Sequence, residues 1–344
     1  LLFALVFGFG MAATVRIGQA WGRQDVVAAR RTLGTAIGLT TGIAMVTTVG
    51  GIVFAPQLLD WLATPGASRG EALAYLRVVF IANPLATITT MIAMGLRGAG
   101  DAGTPLRFMI LTSVIDVALN PLLILGFGPI PPLGIAGSAW ATVIATAIGL
   151  IGLLAFIYAR DLPLRLRGAE LAWLKPRRDE LAFILGKGLP MGTQMLVISG
   201  AGVIMIGLVN REGLVLAAAY GALLQIWNYM GMPAMAIGAA VSAMVAQHIG
   251  AAREGRVDAI SRAGSAANLL MTGALTAVLL LFDGPLLRLF LGADSPSVAA
   301  ALHVQDLAIW TYLPFGITIV LFGTLRAYGV VWTQIAVLLT SMYL

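Results

Sequence analysis

The sequence predicts an all-α polytopic membrane protein. Two observations carry that reading. Of 344 residues, 59% are hydrophobic and only 10% are charged, whereas a soluble domain carries about 25% charged residues. The apolar residues are also gathered into long runs that are apolar all round, each near the ~20 residues a helix needs to cross a bilayer. Barrel strands would instead alternate polar and apolar over about ten residues. This composition excludes an ordinary soluble enzyme, a disordered regulator and a nucleic-acid module. The net charge of +6 is read as basic loops lying against anionic lipid. With no cysteine, disulfides, thiolate metal sites and thiol chemistry are excluded. The 41 glycines suit helices that must approach closely where lipid gives no hydrophobic drive to associate.

The runs fall at 1–20, 32–59, 73–96, 105–126, 135–158, 184–209, 216–247, 260–282 and 301–325, with a tenth starting at 331. Between them stand turn sequences: Thr64-Pro65-Gly66, Gly100-Asp101-Ala102-Gly103, and Gly126-Phe127-Gly128-Pro129 followed by Pro131-Pro132. The first run lacks a charged leader and the tenth stops mid-span, so a chain cut at both ends is expected. Orientation follows from Lys and Arg. Alternate connectors hold Arg16, Arg23, Arg30 and Arg31, then Arg97 and Arg107, then the basic run from Arg160 to Lys187, then Arg253, Arg256 and Arg262, then Arg326. Together they hold 17 of the 21 basic residues, and the positive-inside rule assigns this side to the cytoplasm.

The polar connector 159–183 divides the chain into an N-terminal bundle, 1–158, and a C-terminal bundle, 184–344. The two resemble each other. Gly18-Gln19-Ala20-Trp21-Gly22 matches Ala246-Gln247-His248-Ile249-Gly250 at an offset of 228. Leu96-Arg97-Gly98-Ala99-Gly100 matches Leu325-Arg326-Ala327-Tyr328-Gly329 at 229, and Pro84 matches Pro314 at 230. An ordered set at nearly constant offset marks an internal repeat. Six spans separate equivalent positions, an even number. The halves are therefore expected to share orientation, as two six-helix bundles related by a pseudo-two-fold along the membrane normal.

Several motifs together resemble the multidrug and toxic compound extrusion (MATE) family. They are Gly18-Gln19-x-x-Gly22 with Ala29-Arg30-Arg31, Leu96-Arg97-Gly98-Ala99-Gly100-Asp101-x-x-Thr104-Pro105, and Asp116-x-x-x-Asn120-Pro121. Pro132-x-Gly134-Ile135-x-Gly137-Ser138-Ala139-x-Ala141-Thr142 and Gln247-x-x-Gly250-Ala251 complete the set. The resemblance covers nearly the whole chain, as family helices two to ten and part of eleven. It implies a multi-pass protein of the bacterial inner membrane, monomeric among its lipids. It also implies an antiporter that exports amphipathic or cationic compounds against protons or sodium ions, with no organic cofactor. Family helix seven, Pro190 to Asn210, has no carboxylate, and helix ten has only Asp306 near its outer end. Asp116 fits the DinF-like, proton-linked pattern better than the NorM-like one, although Thr112 stands where that pattern often has Asn.

Asp116 is the sharpest single signal. It sits mid-span with no basic residue within the apolar part of its helix. A charged Asp at the bilayer centre costs ~2.5–3.5 kcal/mol even on insertion scales, and protonation removes most of that cost. A carboxyl that is neutral or charged according to water access is what proton coupling requires; the competing reading is a structural acid bonded to a neighbouring helix. Thr112 and Asn120 lie one turn either side on the same face, placed to hold its proton or an ion, or simply to bridge helices. Gln225, Asn228, Tyr229 and Met230, ahead of Pro233, would suit a pocket for flat cations; an interfacial aromatic belt is the alternative. Gln194 is a further cavity candidate. Arg97 and Asp101 end a helix in a gating or structural loop, and Pro84, Pro121 and Pro233 are expected to kink their helices. His248 and His303 have no metal-ligand spacing, so no metal site is expected. There is no phosphate-binding Walker A motif.

The expected mechanism is alternating access, with the ion and the exported compound favouring opposite states. The rival is a lipid-linked oligosaccharide flippase of the same superfamily, which would need a strongly cationic cavity. An intramembrane enzyme would need a nucleophile–base or metal constellation, for which one Asp and two lone histidines give no basis.

Overall fold

The computed structural model describes residues 2–61, 64–126 and 131–343. Eleven α-helices follow in order: α1 Leu2–Gly22, α2 Val26–Trp61, α3 Gly66–Gly98, α4 Gly103–Leu125, α5 Ile135–Ala159, α6 Arg178–Arg211, α7 Leu214–Gly250, α8 Val257–Leu291, α9 Ser297–Ala308, α10 Tyr312–Ala327 and α11 Trp332–Tyr343. Each of the ten apolar runs is helical, and α9 and α10 share the ninth run across a 3-10 turn at Ile309–Thr311. Among the described residues there is no strand, and eight helical stretches are long and apolar enough to cross a bilayer. Most helices outrun their apolar stretches, α8 by about a turn at the start and two at the end. Residues such as Asp258 and Arg262 stay helical by pairing with each other across one turn. Of the turn sequences, Phe127-Gly128-Pro129 lies outside the described residues.

The chain forms two compact units, Val6–Gly188 and Leu1–Leu5 with Leu189–Leu344. In Val6–Gly188, α2 packs on α3, and α5 packs on both α3 and α4. Ile17, Leu33, Ile92, Leu96, Leu153 and Ile157 make its core. Small residues set the spacing. A methyl group on Gly98 would come within 2.7 Å of the Thr14 carbonyl oxygen, and the Thr14 hydroxyl donates to the Met94 carbonyl at 3.1 Å. Such contacts hold helices together where lipid and side chains are equally apolar.

Pro84 stays inside a continuous α3. Proline removes the N–H that would bond the carbonyl four residues back, here that of Phe80. The Thr48 hydroxyl on α2 donates to this Phe80 carbonyl at 2.8 Å. One turn away, the Asn83 amide donates to the Thr47 hydroxyl at 3.1 Å. The distortion at Pro84 is therefore fastened from a neighbouring helix.

In the other unit, α7, α8 and α10 pack on one another and α9 packs on α7 and α8. Leu223, Ile226, Met230, Leu279, Leu287 and Ile309 form the core. Several of its buried polar groups are amides closed into hydrogen bonds. The Gln194 amide donates to Gln334 at 2.8 Å, Gln334 donates to the Phe322 carbonyl at 2.8 Å, and the Trp227 indole donates to Gln305 at 2.9 Å.

The internal repeat is visible in the backbone. After α1, Arg23, Gln24 and Asp25 donate to the carbonyls of Gln19, Trp21 and Ala20. After α7, Ala251, Ala252 and Arg253 donate to those of Gln247, Ile249 and His248, the same pattern 228 residues on. Gln24 and Ala252 both take positive φ, 61° and 53°. The ends of α3 and α10 repeat likewise at an offset of 229, with Gly100 and Gly329 at φ 92° and 75°. These are positions where glycine carries no steric cost.

The connector after α5 differs from a freely solvated linker. Much of it is exposed, but Leu164 and Leu166 are buried. Arg30 on α2 donates to the Pro163 carbonyl at 2.6 Å and pairs with Glu170 at 3.0 Å. Gly34 and Gly38 leave room for the backbone of Trp173 and Leu174 to lie on α2. Glu180, buried at the start of α6, accepts from the Thr32 hydroxyl at 2.9 Å and pairs with Arg16. A run read as a lipid-facing basic linker is docked because its acids and apolar residues find partners on α1 and α2.

Candidate functional site

The site is built from the middle of α4 and α5, which pack closely along their length. Gly149 on α5 has no side chain where the Thr112 hydroxyl passes, and Gly137 does the same for the Leu123 carbonyl. This closeness brings Asp116 within reach of α5. Its Oδ1 accepts a hydrogen bond from the Thr142 hydroxyl at 3.0 Å. Asp116 is half-buried, and among the described residues no Lys or Arg forms an ion pair with it. A carboxylate at mid-span held by one neutral hydroxyl can take up a proton or a small cation without first breaking a salt bridge.

Thr112 and Asn120 are placed differently from the expectation. The Thr112 hydroxyl donates to the Phe108 carbonyl at 2.8 Å, and the Asn120 amide donates to the backbone carbonyl of Asp116 at 2.9 Å. Both satisfy their own helix, and the group that meets the carboxylate is Thr142. Its only sequence signal was membership of the motif that opens α5.

Below this pair, toward the Arg-rich end, α3, α4 and α5 enclose a cavity of about 250 Å³. Thr89, Thr90, Thr112, Ser113 and Thr146 contribute hydroxyls to a lining that is otherwise apolar, with Phe108, Met109 and Leu153 among its walls. Arg97 reaches this wall, with a guanidinium nitrogen 3.8 Å from the Met109 sulfur. Asp101 accepts from the Thr104 backbone N–H at 2.9 Å and so caps the start of α4. Pro121 and Pro233 both lie inside continuous helices.

On α7 the predicted pocket residues divide between two faces. Gln225, Asn228 and Tyr229 are exposed on one face, Tyr229 by 58%. Met230 lies on the other, 6% exposed within the apolar core. Successive helix residues are about 100° apart, so Met230 cannot share the face of Gln225 and Asn228. The exposed face continues instead through Met232 and Met235, which the sequence reading missed. Gln194 is 8% exposed and bonded to Gln334, so it is a core amide and not a cavity-facing group. Tyr220 packs edge-on against Trp227, and Trp227 is tied to Gln305, so these rings belong to the core as well.

These features define a class: a multi-pass α-helical membrane carrier with an internal repeat and an ion-binding carboxyl candidate in one half. The MatE family model matches residues 1–122 and 190–344. The chain is 33% identical over 336 residues, 97% of its length and 72% of the relative, to the probable multidrug resistance protein YoeA of Bacillus subtilis (strain 168). It is 26% identical over 332 residues, 95% of its length and 72% of the relative, to an FAD transporter of Shewanella oneidensis. Its fold matches the crystal structure of a MATE protein in complex with MaD3S at a TM-score of 0.90 and 18% identity, covering 99% of this chain and 75% of that one. The chain belongs to the MatE family and is a multi-pass integral membrane transporter.

Proposed function

We propose that this protein is an ion-coupled antiporter that exports amphipathic or cationic compounds by alternating access. The observation that carries the reading is Asp116: a carboxyl at mid-span of α4, bonded to the neutral Thr142 and free of any basic partner among the described residues. Intramembrane acids of this kind mark ion pathways. In one state water reaches the carboxyl and a proton, or a sodium ion, exchanges. In the other the site is closed and the compound binds or leaves. Each ligand then weakens the other by the same factor, because both bias one equilibrium in opposite directions.

The exposed face of α7 supplies the substrate surface. Tyr229 offers a ring to a cation, Gln225 and Asn228 offer amides, and Met232 and Met235 offer adaptable apolar contact. The stretch from Gln225 to Met244 carries no Lys or Arg, which favours a cation over a flavin dinucleotide or a lipid pyrophosphate.

The test is reconstitution in proteoliposomes with fluorescent cation efflux followed under imposed pH or sodium gradients, FAD serving as the anionic comparison. Wild-type protein is expected to export the cation only when a gradient is present, and the gradient that works identifies the ion. Asp116→Asn, inserted at the wild-type level, is expected to lose the gradient dependence. Wild-type export by that variant would refute the role of Asp116.

A further inference from the structure

We propose that the cavity enclosed by α3, α4 and α5 is a water-filled half-channel connecting Asp116 to the Arg-rich, cytoplasmic end of the protein. The inference rests on the reading of Asp116 as the coupling acid and adds the route by which its ion reaches one side.

The lining has a direction of chemistry. Thr89, Thr90 and Thr112 donate their hydroxyl protons to the carbonyls of Leu85, Ala86 and Phe108, at 2.9, 2.8 and 2.8 Å. With those protons committed, each oxygen turns its lone pairs to the space beside it. The wall therefore accepts hydrogen bonds, which suits water, a hydrated proton or a small cation and disfavours an anion. A volume of about 250 Å³ holds several waters at ~30 Å³ each. Five hydroxyls within an otherwise apolar wall give those waters polar partners, and polar partners with sufficient room are what a cavity needs to be wet.

The cavity also has an inner and an outer end. Thr112 lies one turn before Asp116 on α4, and Thr146 one turn after Thr142 on α5, so the lining stops about 5 Å short of the Asp116–Thr142 pair. The other end lies at Pro105 and Leu153, close to the Arg-rich ends of α4 and α5. Arg97, against Met109, marks that mouth. Through this route the proton of a neutral Asp116 passes to a cavity water. The carboxylate left behind keeps the Thr142 hydrogen bond, and the positive charge leaves through the water to the inner side.

The absence of cysteine makes the test clean. Single variants Ser113→Cys and Thr146→Cys, with Ile148→Cys as a control outside the lining and 43% exposed, are expressed in the full chain. They are probed with a membrane-impermeant methanethiosulfonate in inverted vesicles and in intact cells. Water ionises a thiol and lipid does not, so the two lining cysteines should react at least ~10-fold faster than the control, from the inner side only. Rates equal to the control, or faster reaction from the outer side, would overturn the half-channel. Should one variant fail to insert, the other carries the test. Filling the cavity by Thr146→Leu, with Asp116 intact, should slow gradient-driven export several-fold at unchanged insertion; an unchanged rate also overturns the route. Unreactive cysteines combined with lost coupling in Asp116→Asn would sink the half-channel and leave the antiport reading standing. Reactive cysteines combined with wild-type coupling in Asp116→Asn would sink that reading and the route with it.

Discussion

The two units share a repeat and both bury hydroxyls, yet they differ in the other polar groups they hold inside the membrane. In Val6–Gly188 the polar interior is made of hydroxyls, with Thr14, Thr48 and Thr87 buried, and one carboxyl, Asp116, lies half-open at mid-span of α4. In Leu189–Leu344 buried hydroxyls such as Ser242, Thr272 and Thr276 stand beside buried amides, of which Gln194, Gln305 and Gln334 are each closed into a hydrogen bond. Hydroxyls back-bonded to their own helix leave acceptor surface and space beside them. The bonded amides tie one helix to another. Under the proposed mechanism charge exchange belongs to one half of the repeat, and the other contributes the exposed face on α7.

The halves also differ at their matched prolines. Pro84 lies within the unbroken α3, its freed carbonyl taken by Thr48. Its counterpart Pro314 follows a 3-10 turn that separates α9 from α10. A 3-10 stretch inside a span marks a tighter, weaker backbone than its α-helical counterpart.

The comparison breaks most visibly at Asp116. Asp116→Asn should reduce gradient-driven efflux by about tenfold or more, equivalent to ~1.4 kcal/mol or more of lost coupling, with thermal stability in detergent unchanged. The mirror experiment is Gln334→Ala. It leaves Gln194 and the Phe322 carbonyl buried without partners, so a loss of ~1–3 kcal/mol of stability is expected. Ion dependence of the remaining transport should be unaltered. If Gln334→Ala changed ion dependence, the division of labour between the halves would be wrong.

Smaller effects sharpen the picture. Tyr229→Ala should weaken an aromatic cation by ~0.5–2 kcal/mol, read as a raised apparent KM at unchanged maximal rate, because it removes a ring from an exposed face. Met230→Leu, in the core, should leave that KM unmoved. The smallest expected effect is at the fastened kink. Thr48→Val should cost ~0.5–1.5 kcal/mol of stability, within the range of interhelical hydrogen bonds in membranes. In a Pro84→Ala background the cost should fall toward zero, because Phe80 regains its own N–H partner; equal costs in both backgrounds would mean that Thr48 does not serve the proline.

How much was legible varied residue by residue. Asp116 stood out because one charge inside an apolar run is conspicuous in any reading. Thr142 did not, because its partner is 26 positions away and a threonine in a membrane helix is unremarkable. Met230 and Gln194 were misplaced for a related reason. In a soluble helix the apolar face identifies the core. In α7 the core face and the exposed face are both rich in methionine and leucine, so sequence pattern could not choose between Met230 and Met232. In the connector 159–183 the basic residues are what a sequence shows first, whereas its contacts with α1 and α2 run through Glu170 and Glu180, whose partners lie far away in sequence.

The sequence by itself determined that the chain crosses the membrane, where it does so, and that it repeats. Those properties follow from the cost of placing backbone and charge in hydrocarbon, which is paid locally, run by run. Only the tertiary structure decided which faces of the helices meet, which hydroxyl holds Asp116, and which amides are locked away. Lipid and protein interior are equally apolar, so no hydrophobic gradient selects a face. That choice falls to close packing at small residues and to hydrogen bonds between helices distant in sequence.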